Sequence, residues 1–242
     1  MEQHRAPVSA PGFWEALYAA GEDGWELGAP APALEAWLDA GGRFDPAPGT
    51  SPRGGDAAGA HRASADPRTS AEWGSAGAIA GPPRIAVPGC GRGHDARLLA
   101  RRGYEVRAFD FAESAVTEAR RLAAADGVEL AVEQRDVFTL ARDHAGAFDG
   151  VWEYTCFCAI DPARREEYAR VLHAVLRPGG LLLACFYPLR EGRDGPPFPV
   201  SRPDIDRALA GRFTVLEAGA PARSVERRQG LEWLVLARRD PP

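Results

Sequence analysis

A glycine-rich turn is the first stretch with chemical potential. Val87-Pro88-Gly89-Cys90-Gly91-Arg92-Gly93-His94-Asp95 places three glycines at alternate positions directly after a short apolar run. Glycines so spaced let backbone approach a ligand closely where a strand hands over to a helix. Asp110 follows nineteen residues after Gly91, at the end of the next apolar run. A carboxylate there is placed to accept hydrogen bonds from the two hydroxyls of a ribose. Asp136-Val137-Phe138 closes a third run, and a polar residue followed by apolar ones suits an adenine. The three sites together point to a nucleoside ligand. The dinucleotide fingerprint G-x-G-x-x-G fails, because its last position holds His94. The spacing instead fits S-adenosylmethionine, which has no pyrophosphate to seat. The absent glycine counts against a nicotinamide-dependent oxidoreductase.

Composition narrows the classes further. All 29 basic residues are Arg, and the chain has neither Lys nor Asn. A Walker lysine, a Schiff-base lysine and a pyridoxal-phosphate enzyme are thereby excluded. So is the Asn-Pro-Pro-aromatic motif of enzymes that methylate nucleic-acid amino groups. A net charge of −5 argues against a partner bound through its phosphate backbone. No run of 18 apolar residues spans a membrane and no apolar signal core opens the chain, so a cytoplasmic protein is expected; a monomer is the separate expectation for its assembly. Cys90, Cys156, Cys158 and Cys185 each lie in an apolar run, and Cys156-x-Cys158 is too tight for zinc. They read as buried free thiols, with no metal site.

These residues need elements to position them. Residues 84–242 alternate short apolar runs with helical stretches. Strands are expected at 84–88, 104–109, 128–134, 147–153, 181–187, 213–217 and 232–237, and helices at 93–102, 112–125, 162–176 and 204–210. Such alternation predicts an α/β fold: a Rossmann-like, doubly wound, mostly parallel seven-stranded sheet with helices on both faces. Residues 1–44 carry Trp14, Leu17 and Tyr18, then Leu34, Trp37 and Leu38, at helical spacing, and form an expected N-terminal helical lid. Residues 45–83 are dominated by Ala, Gly, Pro and Ser, with Trp73 as a lone anchor, and read as a disordered insertion. His144 and His173 are expected on helix surfaces. Arg223, Arg227 and Arg228 are expected as a solvated cluster, with one able to touch an anionic substrate. Asp95 is expected to complement a helix dipole as readily as to serve a ligand.

The chain resembles class I S-adenosylmethionine-dependent methyltransferases of the thiopurine methyltransferase superfamily, and within it the halide, thiocyanate and thiol branch. The resemblance is carried by Phe13-Trp14-Glu15, Trp25–Pro32, Val87–Asp95, Trp152-Glu153-Tyr154-Thr155-Cys156-Phe157-Cys158-Ala159-Ile160 and Gly195-Pro196-Pro197-Phe198-Pro199-Val200. It implies that Trp14 and Trp25 close over the cofactor, that Gly89 and Gly91 line its methionine and ribose side, that Asp110 takes the ribose hydroxyls, and that Asp136 and Val137 meet the adenine. Glu153 and Tyr154 would flank the methyl-transfer site. Tyr154 stands where thiopurine enzymes carry an Arg. Trp25, Tyr154, Phe157, Tyr187 and Phe198 would form the acceptor pocket. The implied reaction moves a methyl group to a thiol, hydrosulfide, thiocyanate or halide and releases S-adenosylhomocysteine. Methylation of a thiopurine, methylation at O or N of another small metabolite, and a non-catalytic cofactor-sensing module stand as alternatives.

Overall fold

Alternating side chains on a few short strands organise the whole chain. The computed structural model describes residues 6–44, 81–192 and 194–241, so the expected insertion and Trp73 fall almost wholly outside the described residues. Strands β1 (Arg84–Pro88), β2 (Glu105–Asp110), β3 (Ala131–Gln134), β4 (Phe148–Tyr154), β5 (Leu176–Phe186), β6 (Phe213–Gly219) and β7 (Trp233–Arg239) form one sheet in the order β3-β2-β1-β4-β5-β7-β6. β1 to β5 pair in parallel, and β7 runs antiparallel to both β5 and β6. Because side chains alternate along a strand, Val151, Leu182 and Ala184 enter one core while Trp152, Leu183 and Cys185 enter the other. Helices α2 (Pro32–Asp39), α3 (His94–Arg101) and α4 (Glu113–Ala125) cover the Trp152 face; α5 (Leu140–His144), α6 (Arg165–Val175) and α7 (Arg202–Leu209) cover the other. The expected doubly wound sheet is the fold observed.

Glycine at 150 is a packing requirement. A Cβ there would collide with the Phe44 ring, which lies on the sheet beside Ile85 and extends the α2 segment into the core. Helix α1 (Pro11–Ala20) buries Phe13 and Leu17, and Glu15 Oε1 accepts from the Ser114 amide at the start of α4, 3.1 Å away. No helix among the described residues is long and apolar enough to cross a membrane.

Three expected details differ. The helix expected over 162–176 is a 3-10 turn at Pro162–Arg164 followed by α6, which ends at Val175. Pro178 disfavours helical backbone at Arg177, so the chain leaves the helix early, and Leu176 already pairs with Phe148 before a register shift. β3 starts at Ala131 rather than Val128, whose amide instead closes α4 on Ala123 O. His144 and His173 are partly buried rather than fully exposed: His144 packs on the rings of Phe109 and Phe148, and His173 meets Phe213 edge-on.

Candidate active site

After β1 the chain winds outward through β2 and β3, then returns to lay β4 against β1. Crevices form at the carboxyl ends of strands where such a sheet reverses direction. A cavity of about 710 Å³ lies there, within the range of about 300–1,000 Å³ that suits a ligand of drug size. Its floor begins with Gly89, φ +62°, where an added Cβ would stand 2.8 Å from the Cβ and Sγ of Cys156. Only glycine leaves backbone open to a ligand at that point. The Cys90 amide donates to Phe109 O at 2.9 Å, stitching the turn to β2.

Asp110 lines the cavity at the end of β2. Its Oδ2 accepts from the Gly91 amide at 2.9 Å and its Oδ1 from the Ala112 amide at 3.0 Å. Burial raises its pKa, opposed chiefly by these backbone donors. A carboxylate has about four acceptor positions, so acceptor capacity remains for a hydroxyl beside the backbone donors. Asp136 caps the turn Val137–Thr139 by accepting from the Phe138 amide at 2.9 Å, and both Asp136 and Val137 line the cavity. The Arg164 guanidinium lies 3.4 Å from the Phe138 ring centroid. A glycine cradle, a buried carboxylate with spare acceptor capacity and an apolar slot beside Val137 fit a ribose carrying an adenine. Among the described residues no cluster of His, Cys, Asp and Glu is arranged to hold a metal ion.

The outer wall comes from α1 and the connector that follows it. Trp14, Tyr18 and Trp25 line the cavity, with Trp25 edge-on to Trp14 at 5.5 Å and to Tyr18 at 5.4 Å between centroids. The Trp25 indole N–H donates to Tyr18 Oη at 3.4 Å. Charged contacts hold the connector to the glycine turn. Arg92 reaches Asp23 at 2.6 Å, and His94 Nε2 lies 3.1 Å from Glu26 Oε1. Asp95 is more than a dipole partner. Its carboxylate accepts from the Ala31 amide at 2.6 Å and from the Trp152 indole at 2.7 Å, so it ties α2, α3 and β4 together while burial pushes its pKa up.

Past β4 the structure redistributes the expected residues. Tyr187 lines the cavity and Tyr154 a smaller pocket that shares Trp25, Gly89, Gly91 and Thr155 with it, while Glu153, Phe157 and Phe198 line neither. Glu153 is fully buried and accepts from the Phe157 amide at 2.7 Å, folding the loop that brings Thr155, Cys156 and Cys158 to the wall. Desolvation pushes its pKa up to about 7 against the Phe157 and Cys156 amides. Phe157 is 3% exposed and packs edge-on against Phe186 at 5.0 Å, because the loop turns its ring inward. Phe198 sits behind the wall, its amide donating to Cys158 O at 2.7 Å, and so holds Pro196 and Pro197 against the cavity. The Tyr154 hydroxyl donates to Glu232 Oε1 at 2.6 Å and accepts from Arg228 Nη1 at 2.5 Å. It is Arg228, from the turn Glu226–Arg228, that reaches the cavity. Only 1% exposed, it corrects the expected solvated cluster: its Nη2 donates to Trp25 O at 2.9 Å and its guanidinium lies 4.6 Å from the Tyr187 ring centroid. Arg227 donates to Gly24 O and Arg223 pairs with Asp39.

The family model for thiopurine S-methyltransferase matches residues 61–237. The chain belongs to the thiopurine S-methyltransferase family. It is an S-adenosylmethionine-dependent methyltransferase. The chain is 26% identical over 203 residues to probable thiol methyltransferase 2 of Arabidopsis thaliana, covering 83% of this chain and 73% of that protein. It is 30% identical over 154 residues to thiocyanate methyltransferase 1 of the same plant, covering 62% and 67%. A crystal structure of the Burkholderia thailandensis 1,6-didemethyltoxoflavin-N1-methyltransferase with bound S-adenosylhomocysteine has the same fold: TM-score 0.62 and 21% identity, covering 98% of this chain and 93% of that one.

Within this methyltransferase, Arg228, Tyr18 and Arg164 are cavity residues that the chain's local pattern does not single out. Tyr18 reads as a helix-face aromatic, and Arg228 is indistinguishable from Arg227 by charge alone. The available signal is Glu232, a carboxylate opening an apolar strand that demands a buried partner. The cavity's own thiols stay protonated, since burial pushes Cys158 up to about 12 and Cys156 well above the usual thiol range.

Proposed function

We propose that this enzyme methylates the sulfur of a small, acidic thiol taken up as the thiolate beside Arg228. The observation that carries the reading is Arg228 itself, a buried guanidinium on a wall otherwise rich in aromatic and apolar groups. A buried cation facing a mainly apolar cavity favours an anion with an apolar body. The fate of Cys158 sharpens the class: a thiol of ordinary acidity in this environment keeps its proton. An acceptor that is anionic at neutral pH before it enters, such as an aromatic or heteroaromatic thiol, avoids that penalty.

In this reading Gly89, Gly91, Asp110, Asp136 and Val137 would hold S-adenosylmethionine. When bound, it supplies a sulfonium methyl group for in-line displacement. Asp110 would accept from the ribose hydroxyls, and Trp14 and Trp25 would exclude water from the donor side. Aromatic faces favour a cation by roughly 0.5–2 kcal/mol. Arg228 would orient the acceptor's sulfur and Tyr187 wall its far side. A thiolate needs no general base, so alignment and desolvation remain for the protein to provide. The test is methyl transfer from labelled S-adenosylmethionine to thiophenol, an alkyl thiol, hydrosulfide, thiocyanate, iodide and a thiopurine at neutral pH. The reading expects thiophenol or the thiopurine to give the highest kcat/KM. A preference for iodide, thiocyanate, hydrosulfide or the alkyl thiol overturns it.

A further inference from the structure

We propose that Glu232 is a positioning residue that sets how much of the Arg228 charge an acceptor meets, acting through Tyr154 without touching the acceptor. The inference rests on the reading that Arg228 faces the acceptor. Three side chains from separate elements form a short buried chain: Arg228 Nη1 donates to Tyr154 Oη at 2.5 Å, and Tyr154 Oη donates to Glu232 Oε1 at 2.6 Å. Arg228 is 1% exposed and Glu232 3%. Arg228 lines the cavity and Glu232 does not. The chain therefore has a cationic end at the ligand space and an anionic end behind it. Arg228 Nε and Glu232 Oε2 are both buried without a hydrogen-bond partner among the described residues, and the other group bonded to the guanidinium, Trp25 O, is uncharged.

The phenol bridges without titrating, because burial holds its pKa far above the usual tyrosine range and Glu232 pushes the same way. The other titratable groups coupled to this cluster or facing it are Cys185 on β5, Cys158 on the loop after β4 and Tyr187, whose ring lies 4.6 Å from the guanidinium. None of them hydrogen-bonds Arg228 among the described residues. Glu232 is thus the counter-charge in line with it. A buried guanidinium without that counter-charge draws anions more strongly and favours thiolate over thiol.

Glu232→Gln keeps the shape and an amide oxygen for the Tyr154 hydroxyl while deleting the charge. Direct titration of the protein with thiocyanate by calorimetry is the probe. The expected result is tightening by about tenfold, one pKa unit of electrostatic preference. The acid limb of kcat for an alkyl thiol, which reports the thiol bound beside Arg228, moves to lower pH by about the same unit, a displacement that loss of packing alone does not produce. Glu232→Asp withdraws the carboxylate by one methylene and gives a smaller tightening in the same direction, so it carries the test if the Gln variant does not fold. Equal thiocyanate affinity in parent and folded variants overturns the inference, as does weaker affinity or no binding by any of them. A tightened variant of a chain that transfers no methyl group supports the inference and refutes the acceptor reading. Active parent and Gln variant with coincident pH profiles refute the inference alone.

Discussion

Replacing Arg228 by Met separates what the guanidinium does for the fold from what it does for the acceptor. The substitution leaves Trp25 O without its 2.9 Å donor and Tyr154 without the group that donates to its hydroxyl. It also strands Glu232, 3% exposed, as an uncompensated buried carboxylate. Arg228 and Glu232 meet through the Tyr154 hydroxyl rather than directly, so the cost of removing one partner of a direct buried ion pair, about 3–5 kcal/mol, is an upper bound. For a domain of this size each kcal/mol moves Tm by about 2–4 °C, so a fall on the order of 10 °C is expected. Most of that loss belongs to the stranded charge, so adding Glu232→Leu should return the greater part of it. Activity should not return, because the cation at the cavity wall is still missing. Scanning calorimetry on the single and double variants, with kcat/KM for the best thiol, reads both quantities. If the double variant recovers activity together with Tm, Arg228 is a structural residue and the acceptor argument fails. If Arg228→Met alone leaves Tm unchanged, the pair is not the buried network described.

Asp110→Ala removes the proposed anchor for both ribose hydroxyls; at about 1.5–3 kcal/mol per charge-assisted bond, calorimetry should show S-adenosylhomocysteine binding at least tenfold weaker, and unchanged affinity would sink the cofactor assignment. Tyr154→Phe leaves Arg228 Nη1 and Glu232 Oε1 without their shared partner, so urea unfolding should show a loss of about 1–3 kcal/mol and acceptor KM should change more than cofactor Kd, falling as Glu232 is uncoupled from Arg228; a silent variant contradicts the bridge. Glu153, raised from 4.5 to about 7 by burial, keeps its proton in the folded chain while the unfolded chain releases it. Its contribution is therefore fully present below about pH 4.5 and is lost as pH rises toward 7, by about 3 kcal/mol at most. Glu153→Gln should flatten that part of the urea-derived stability profile, and parallel profiles would refute the assignment.

The sheet was legible because its signals are local. A strand of alternating or wholly apolar residues, a glycine turn and a terminal aspartate each declare themselves within about ten residues, and β1, β2 and β4 lie within two residues of their expected bounds. The part of the cavity proposed for the cofactor shares that property, since Gly89, Asp110 and Asp136 sit at strand ends and the strand order alone brings them together. The part proposed for the acceptor does not. Tyr154 and Arg228 meet across 74 positions, and Arg228 is buried because of what Trp25, Tyr154 and Glu232 supply. Its neighbours Arg223 and Arg227, identical in type, bond near the surface instead. Phe157 and Phe198 show the opposite failure. Their motif is at the site, but the Glu153 cap turns one ring inward and the Cys158 carbonyl holds the other's backbone behind the wall.

Cys156 and Cys158 impose a constraint on any chemistry in this cavity. They line the same space in which a methyl donor and a sulfur acceptor would meet, and a thiolate on either would compete for the methyl group. Burial answers this by holding both as thiols. The same low polarity penalises an acceptor thiol that must ionise inside. Arg228 offsets that penalty where the acceptor sits, but it lowers Cys158 only as a lesser effect against desolvation. Selectivity for acceptor sulfur over protein sulfur then reduces to intrinsic acidity plus proximity to one guanidinium, which is why the proposed acceptor is an acidic thiol and why the charge balance around Arg228 matters more than any general base.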